Sequence, residues 1–112
     1  MFGDLAIFGA PMQQPPCDGS YITIVASAVL PDRYTRTVSD ALSTYQGSMY
    51  LRTDQTCPSL RGSINGNPIY SIFYGPFSNS ADACGARQFG PTDSYVRRLS
   101  TTDPPEHVVK CG

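Results

Sequence analysis

The sequence predicts an α+β fold, a four-stranded antiparallel sheet with two helices on one face, in the order β-α-β-β-α-β. Three observations lead there. Two runs, YITIVASA at 21–28 and PIYSIFY at 68–74, are dense in β-branched and aromatic residues and are bounded by turn residues. Between them, Tyr34, Val38, Ala41, Leu42 and Tyr45 recur at helical spacing. The chain of 112 residues holds one domain and hardly more.

Element by element, residues 1–20 are rich in Pro, Gly and Gln and read as an arm or linker, with Phe2, Leu5, Ile7 and Phe8 as its apolar positions. The single domain is expected over 21–112. Tyr21–Ala28 is the first strand, bounded by Asp18-Gly19 and Pro31-Asp32. Asp32–Gln46 is an amphipathic helix, with Asp32 in its first turn and Gly47 where a left-handed terminator belongs. Ser48–Arg52 reads as a short strand, and Thr53–Asn67 as a long loop without sustained periodicity. Pro68–Tyr74 is the third strand, ended by Gly75-Pro76 because proline cannot donate to a ladder. Ser78, Asn79 or Ser80 caps a short helix over Ala81–Phe89, with Ala81, Cys84, Gly85 and Phe89 on one side, and Ser94–Leu99 is the last strand. With right-handed crossovers, the first and third strands become central and, on this reading, parallel.

Composition narrows the function. The formal net charge is −1, with 15% charged and 40% hydrophobic residues. Lys110 is the only lysine and Glu106 the only glutamate. Nothing here could neutralise many phosphates, so nucleic-acid binding is not expected. No run approaches the ~20 apolar residues of a spanning helix.

Cys17, Cys57, Cys84 and Cys111 are dispersed, with no CxxC or Cys/His spacing for zinc, so no metal is expected. An even number of scattered cysteines in a small chain fits two disulfides and an oxidising, extracytoplasmic compartment. Three pairings are open. If Cys17 paired with Cys111 and Cys57 with Cys84, the loops would contribute roughly 4.7 and 3.6 kcal/mol by chain entropy. Met1–Met12 lacks the basic start of a secretory signal and is interrupted by Asp4, Gly9 and Pro11. The expectation is an extracytoplasmic fragment, monomeric, whose membrane anchor lies upstream.

Period-two alternation divides the first strand into Ile22, Ile24, Ala26 and Tyr21, Thr23, Val25, and the third into Ile69, Ser71, Phe73 and Tyr70, Ile72, Tyr74. Each half carries apolar side chains. With both helices on one face, the other would be an apolar, partly aromatic patch that requires a cover or a partner. The cover could be the arm or the tail with Val108 and Val109; the partner would be a ligand.

The segment 21–99 resembles the SPOR (sporulation-related repeat) family of bacterial cell-envelope domains. YITIVASA is similar to the family's first strand, and YSIFYGPF, with the helix after it, to the strand ending in Gly-Pro-Phe; Ser27, Gly75, Pro76 and Phe77 match directly. The resemblance implies a ferredoxin-like, SPOR-like arrangement and binding of peptidoglycan, in particular glycan strands stripped of peptides. The chain departs from the family at Ile24, where Gln is common, and at Ser71 and Phe73, where polar or basic residues are common. Its cysteines and long loop are similar to a disulfide-bearing actinobacterial variant found at the extracytoplasmic end of membrane-anchored proteins, including serine/threonine kinases. The expected ligand face is Ile22, Ile24, Ser71, Phe73 and Arg97, with apolar contact from Ile22, Ile24 and Phe73 and polar contact from Ser71 and Arg97. The alternative is a module that docks another envelope protein through the same apolar face.

Catalysis and cofactors are not expected. His107, the only histidine, follows Pro104-Pro105-Glu106 in the tail, and most of the aspartates, such as Asp18, Asp32, Asp54 and Asp103, fall at expected caps and turns. Gly62–Gly66 does not join a strand to a helix, as a phosphate-cradling loop must. RNA-recognition modules share the β-α-β-β-α-β order and use aromatics on the third strand, but the basic-Gly-aromatic pattern before that strand is absent.

Overall fold

A computed structural model describes residues 4–7 and 9–111; Phe2 and Phe8 of the arm lie outside them. The expected order of elements is present. Strand β1 (Tyr21–Ala28) leads through a 3-10 turn at Pro31–Arg33 into helix α1 (Tyr34–Thr44), then β2 (Met49–Arg52). A two-residue pair, β3 (Ser63–Ile64) and β4 (Asn67–Pro68), precedes β5 (Tyr70–Phe77), helix α2 (Ser80–Gly85) and β6 (Tyr95–Arg98).

The four long strands form one sheet in the order β2-β5-β1-β6, every pair antiparallel. The two most apolar strands are central, as expected. They are not parallel: β1 and β5 run in opposite directions, with Ile24 opposite Phe73 and Ser27 opposite Ser71. The reason is connectivity. Helix α1 carries the chain back so that β2 runs in the direction of β1, and β5, antiparallel to its neighbour β2, therefore runs against β1 as well.

On one face, Val25, Ala28, Tyr50, Tyr70 and Ile72 pack with Val38 and Ala41 of α1. The stripe read from the sequence is the buried one, with Tyr34, Leu42 and Tyr45 packed at its margin. Asp32 belongs to the 3-10 turn and caps nothing, but Gly47 takes the left-handed φ of +86° at the helix exit. Helix α2 sits on the same face, held where the buried Thr23 Oγ1 donates to the Ala83 carbonyl at 2.5 Å. Its cap is Asn79, whose Oδ1 accepts from the Asp82 N–H at 2.8 Å. The inward residues are Ala83 and Ala86, whereas Ala81, Gly85 and Phe89 of the side expected from the sequence are exposed and Cys84 is half-buried; Ala83 is the residue anchored to β1 through Thr23, and the turn tightens to 3-10 geometry over Ala86–Phe89.

Two irregularities redirect β1 and β5. A register shift between Ile24 and Ala26 breaks the expected Ile22-Ile24-Ala26 row, so Ala26 and Ala28 join Val25 on the helix side. β5 does not end at Gly75-Pro76. A second shift, between Tyr21 and Thr23, lets the strand continue to Phe77 opposite Tyr21, with Gly75 at φ +116°.

Both sheet edges are blunted. Gln13 of the arm bridges Leu51 of β2, and the Val109 N–H donates to the Val96 carbonyl of β6 at 2.9 Å. The arm is therefore part of the domain and not a free linker: Met12 is buried in the helix-side core, and Tyr50 Oη donates to Asp4 Oδ1 at 2.6 Å while accepting from the Leu5 N–H at 3.1 Å. Burial and the Asp4 partner push the Tyr50 phenol up to about 12, and that same hydrogen bond holds the Asp4 carboxyl below its ordinary value. No helix among the described residues is long and apolar enough to cross a membrane.

Candidate binding site

The sheet face opposite the helices carries all five residues singled out in the sequence. Ile24 lies opposite Phe73, Ile22 opposite Arg97, and Ser71 between Ser27 and Leu51. The expectation that this face is open is not met. Ile22 and Phe73 have no exposed surface, and Ser71 and Ile24 keep only 2% and 4%. The cover is neither the arm nor the tail but the segment after β2, which the sequence left as a structureless loop. Cys57 and Leu60 from that segment, with Leu99, close over Ile22, Ile24, Leu51 and Phe73 as a second core. A flat platform for stacking does not exist there.

Three devices hold the cover in place. Cys17 is bonded to Cys57, across 40 residues, and Cys84 to Cys111, across 27; all four cysteines are used, in a pairing other than Cys17 with Cys111. Such bonds persist in an oxidising environment. Ser59 is buried and ties the cover to the end of β6: its Oγ donates to the Arg98 carbonyl at 2.6 Å and accepts from the Ser100 N–H at 3.0 Å. The β3-β4 hairpin then closes the segment through Asn65 and Gly66, both at positive φ (53° and 79°), the two-residue turn that an Asn-Gly pair favours.

Between the hairpin segment and the sheet the cover leaves a slot of about 190 Å³. Ile24 and Ser71 line its sheet side with Ser27; Leu60, Ile64 and Ile69 line the other; Arg61, Arg97 and Tyr95 complete it. Three of the five expected residues, Ile24, Ser71 and Arg97, therefore meet at the slot, whereas Ile22 and Phe73 are core. Arg97 is held firmly. Its Nη1 donates to the Ser59 carbonyl at 3.3 Å and to the Pro105 carbonyl, and its guanidinium carbon lies 5.5 Å from the centre of the Tyr95 ring. Its Nε is buried with no partner, a state that costs about 1–3 kcal/mol for a donor stripped of water.

The ion pairs among the described residues are Arg36–Asp40, Arg52–Asp54 and Arg98–Asp103, so Arg61 and Arg97 carry charge that no carboxylate neutralises at close range. Sequence reasoning named Arg97 as a hydrogen-bond donor of the last strand but missed Arg61 and Tyr95. The Asn65-Gly66 pair was a signal for the hairpin, but Arg61 lies before its first strand and nothing local marks it.

A second concavity, about 490 Å³, lies at the far side of α2, where Tyr74, Phe77 and Phe89 gather with Gln46 and Gln88. Phe89 is 61% exposed, with its ring 6.0 Å from that of Tyr74. Among the described residues no group of three His, Cys, Asp or Glu side chains could hold a metal ion, and His107 is exposed in the tail. In comparisons with known proteins, no family model matches this chain, and no curated protein and no solved structure shows significant similarity to it.

Proposed function

We propose that this chain is a non-catalytic binding or sensor domain that works outside the cytoplasmic membrane and recognises a cell-wall glycan, peptidoglycan strands above all, through the slot on the sheet face. The observation that carries the reading is the convergence of Ile24, Ser71 and Arg97 with Tyr95 and Arg61 around one opening. Apolar contact, hydroxyls, an aromatic ring and guanidinium donors are the groups with which proteins grip a sugar and its substituents. Two disulfides support an extracytoplasmic location. The strand order β2-β5-β1-β6 with both helices on one face supports a ferredoxin-like, SPOR-like topology. The reading differs from the family's expected mode in one respect: contact is through a slot rimmed by the cover, not across an open sheet. On this reading the domain acts as a monomer without a cofactor.

Co-sedimentation tests this directly. The oxidised domain should pellet with purified sacculi treated with amidase to remove peptides, and a domain that stays in the supernatant ends the glycan reading. One observation favours a second reading, a protein-docking module of the envelope: the Tyr74-Phe77-Phe89 groove presents the exposed ring of Phe89. Retention of a cell-envelope protein that is lost on Phe89→Ser, with no binding to sacculi, would select it.

A further inference from the structure

We propose that the slot is a carboxylate-recognition site, so that the ligand is an acidic sugar or another small group presenting a free carboxylate beside an apolar stub. The proposal rests on the binding reading above but goes beyond it by naming the chemistry of recognition. Three observations carry it. Arg61 and Arg97 converge on the same cavity without an ion pair to either, so the opening is cationic in a chain whose net charge is −1. Arg97 is oriented in advance by the Ser59 and Pro105 carbonyls on Nη1 and by the Tyr95 ring, which leaves the Nε edge, the one suited to side-on bidentate contact with a carboxylate, without a partner. The remaining walls, Ile24 and Leu60, are apolar and suit a methyl or short alkyl group.

The volume sets the scale. About 190 Å³ admits a single sugar ring edge with its substituent and not a folded peptide segment. Glu106 lies on the outer side of the same two arginines, beyond ion-pair distance, and leaves the pair with a net positive charge. Because Nε is buried in the free domain, a carboxylate reaches it only as the wall around the guanidinium gives way, and the Ser59 and Pro105 carbonyls stay on Nη1.

The test is a titration of the folded, oxidised chain followed by NMR at the arginine Nε–H resonances, with three probes: N-acetylmuramic acid, N-acetylglucosamine, which lacks the lactyl carboxylate, and sodium lactate. N-acetylmuramic acid should shift Arg97 Nε–H and the Tyr95 ring protons, and N-acetylglucosamine should not. Arg61→Gln, at an exposed position, should weaken that binding about tenfold without loss of fold, and Arg97→Gln should abolish it. Equal responses to the two sugars, or binding that leaves Arg97 Nε–H unmoved, overturn the proposal. Its failure is separable from failure of the glycan reading. Sacculi that still pellet an Arg61→Gln/Arg97→Gln variant refute the carboxylate site and leave glycan binding intact. Lactate that moves Arg97 Nε–H in a domain that no sacculus retains upholds the site and refutes the glycan.

Discussion

If the Cys17–Cys57 bond is what holds the cover over the sheet, then Cys17→Ala/Cys57→Ala should act on stability and on exposure together. The bond closes a loop of 40 residues, which by chain entropy is worth about 4 kcal/mol; Cys84–Cys111, across 27, is worth about 3.6 kcal/mol. Against a total of roughly 5–15 kcal/mol for a domain of ordinary stability, either loss is large. At a urea dependence of about 2 kcal/mol per molar, each double variant should lower the unfolding midpoint by roughly 2 M, read by circular dichroism because the chain has no tryptophan. The two should part in a second measurement. Cys57 is buried against Ile22, Leu51 and Phe73, whereas Cys84 and Cys111 are only partly buried and tie the tail to α2. Without denaturant, only the Cys17/Cys57 variant should bind a hydrophobic dye, since only there does the cover lift from an apolar face. A midpoint shift under about 0.5 M with no dye binding would refute the reasoning, and would mean that Ser59 and Leu60 alone hold the cover.

Three further outcomes follow from packing and charge. Gly90→Ala would place a Cβ 2.4 Å from Ser94 Oγ and 2.5 Å from Val25 Cγ1, both buried side chains, at an ordinary φ of −114°; overpacking of about 2–3 kcal/mol should lower the melting temperature by roughly 10 °C, and a neutral result would show that α2 can shift. Thr23→Val keeps the shape but strips the Ala83 carbonyl of its hydroxyl partner; a loss of about 1–2 kcal/mol is expected in thermal denaturation, with faster amide exchange confined to α2. The Tyr50–Asp4 pair gives two pH limbs. Asp4 is depressed when folded, so its contribution is present above its ordinary value of 3.8 and is lost as pH falls through the folded value; Tyr50 is raised to about 12, so its contribution is intact below 10 and is lost as pH rises through 12. Tyr50→Phe should make both limbs shallower in urea midpoints measured against pH, with the rest of the alkaline limb left to Tyr34 and Tyr74, whose phenols burial also raises.

What the sequence made legible was the sheet, and the reason is local. Tyr21–Ala28 and Pro68–Tyr74 announce themselves by composition, and the stripe from Tyr34 to Tyr45 by period, because each signal sits within a dozen residues; the extension of the third run through Gly75-Pro76 to Phe77 did not. The cover was illegible because what fixes it is not local. Residues 53–62 have no periodicity of their own; they are ordered by a bond to Cys17, by Ser59 reaching Arg98 and Ser100, and by Leu60 falling onto Ile24 and Phe73. Alternation could say that a second face of β1 and β5 is apolar, but it could not say whether a ligand or the chain itself fills the demand. The structure answers mostly the chain, and this changes where recognition can occur. A binding surface that evolved as an open sheet would spend its apolar residues on the ligand. Here Ile22 and Phe73 are committed to the core, and the slot opens at the place where the cover's own arginine meets that of β6. Affinity at such a site must come from a few directed polar contacts and not from area, which predicts a ligand chosen for the chemistry of one substituent. In the Cys17/Cys57 variant that selectivity should fail first: as the cover lifts, N-acetylmuramic acid and N-acetylglucosamine should become indistinguishable even where the sheet itself still folds, and retained discrimination would mean that Arg97 and Tyr95 suffice without the cover.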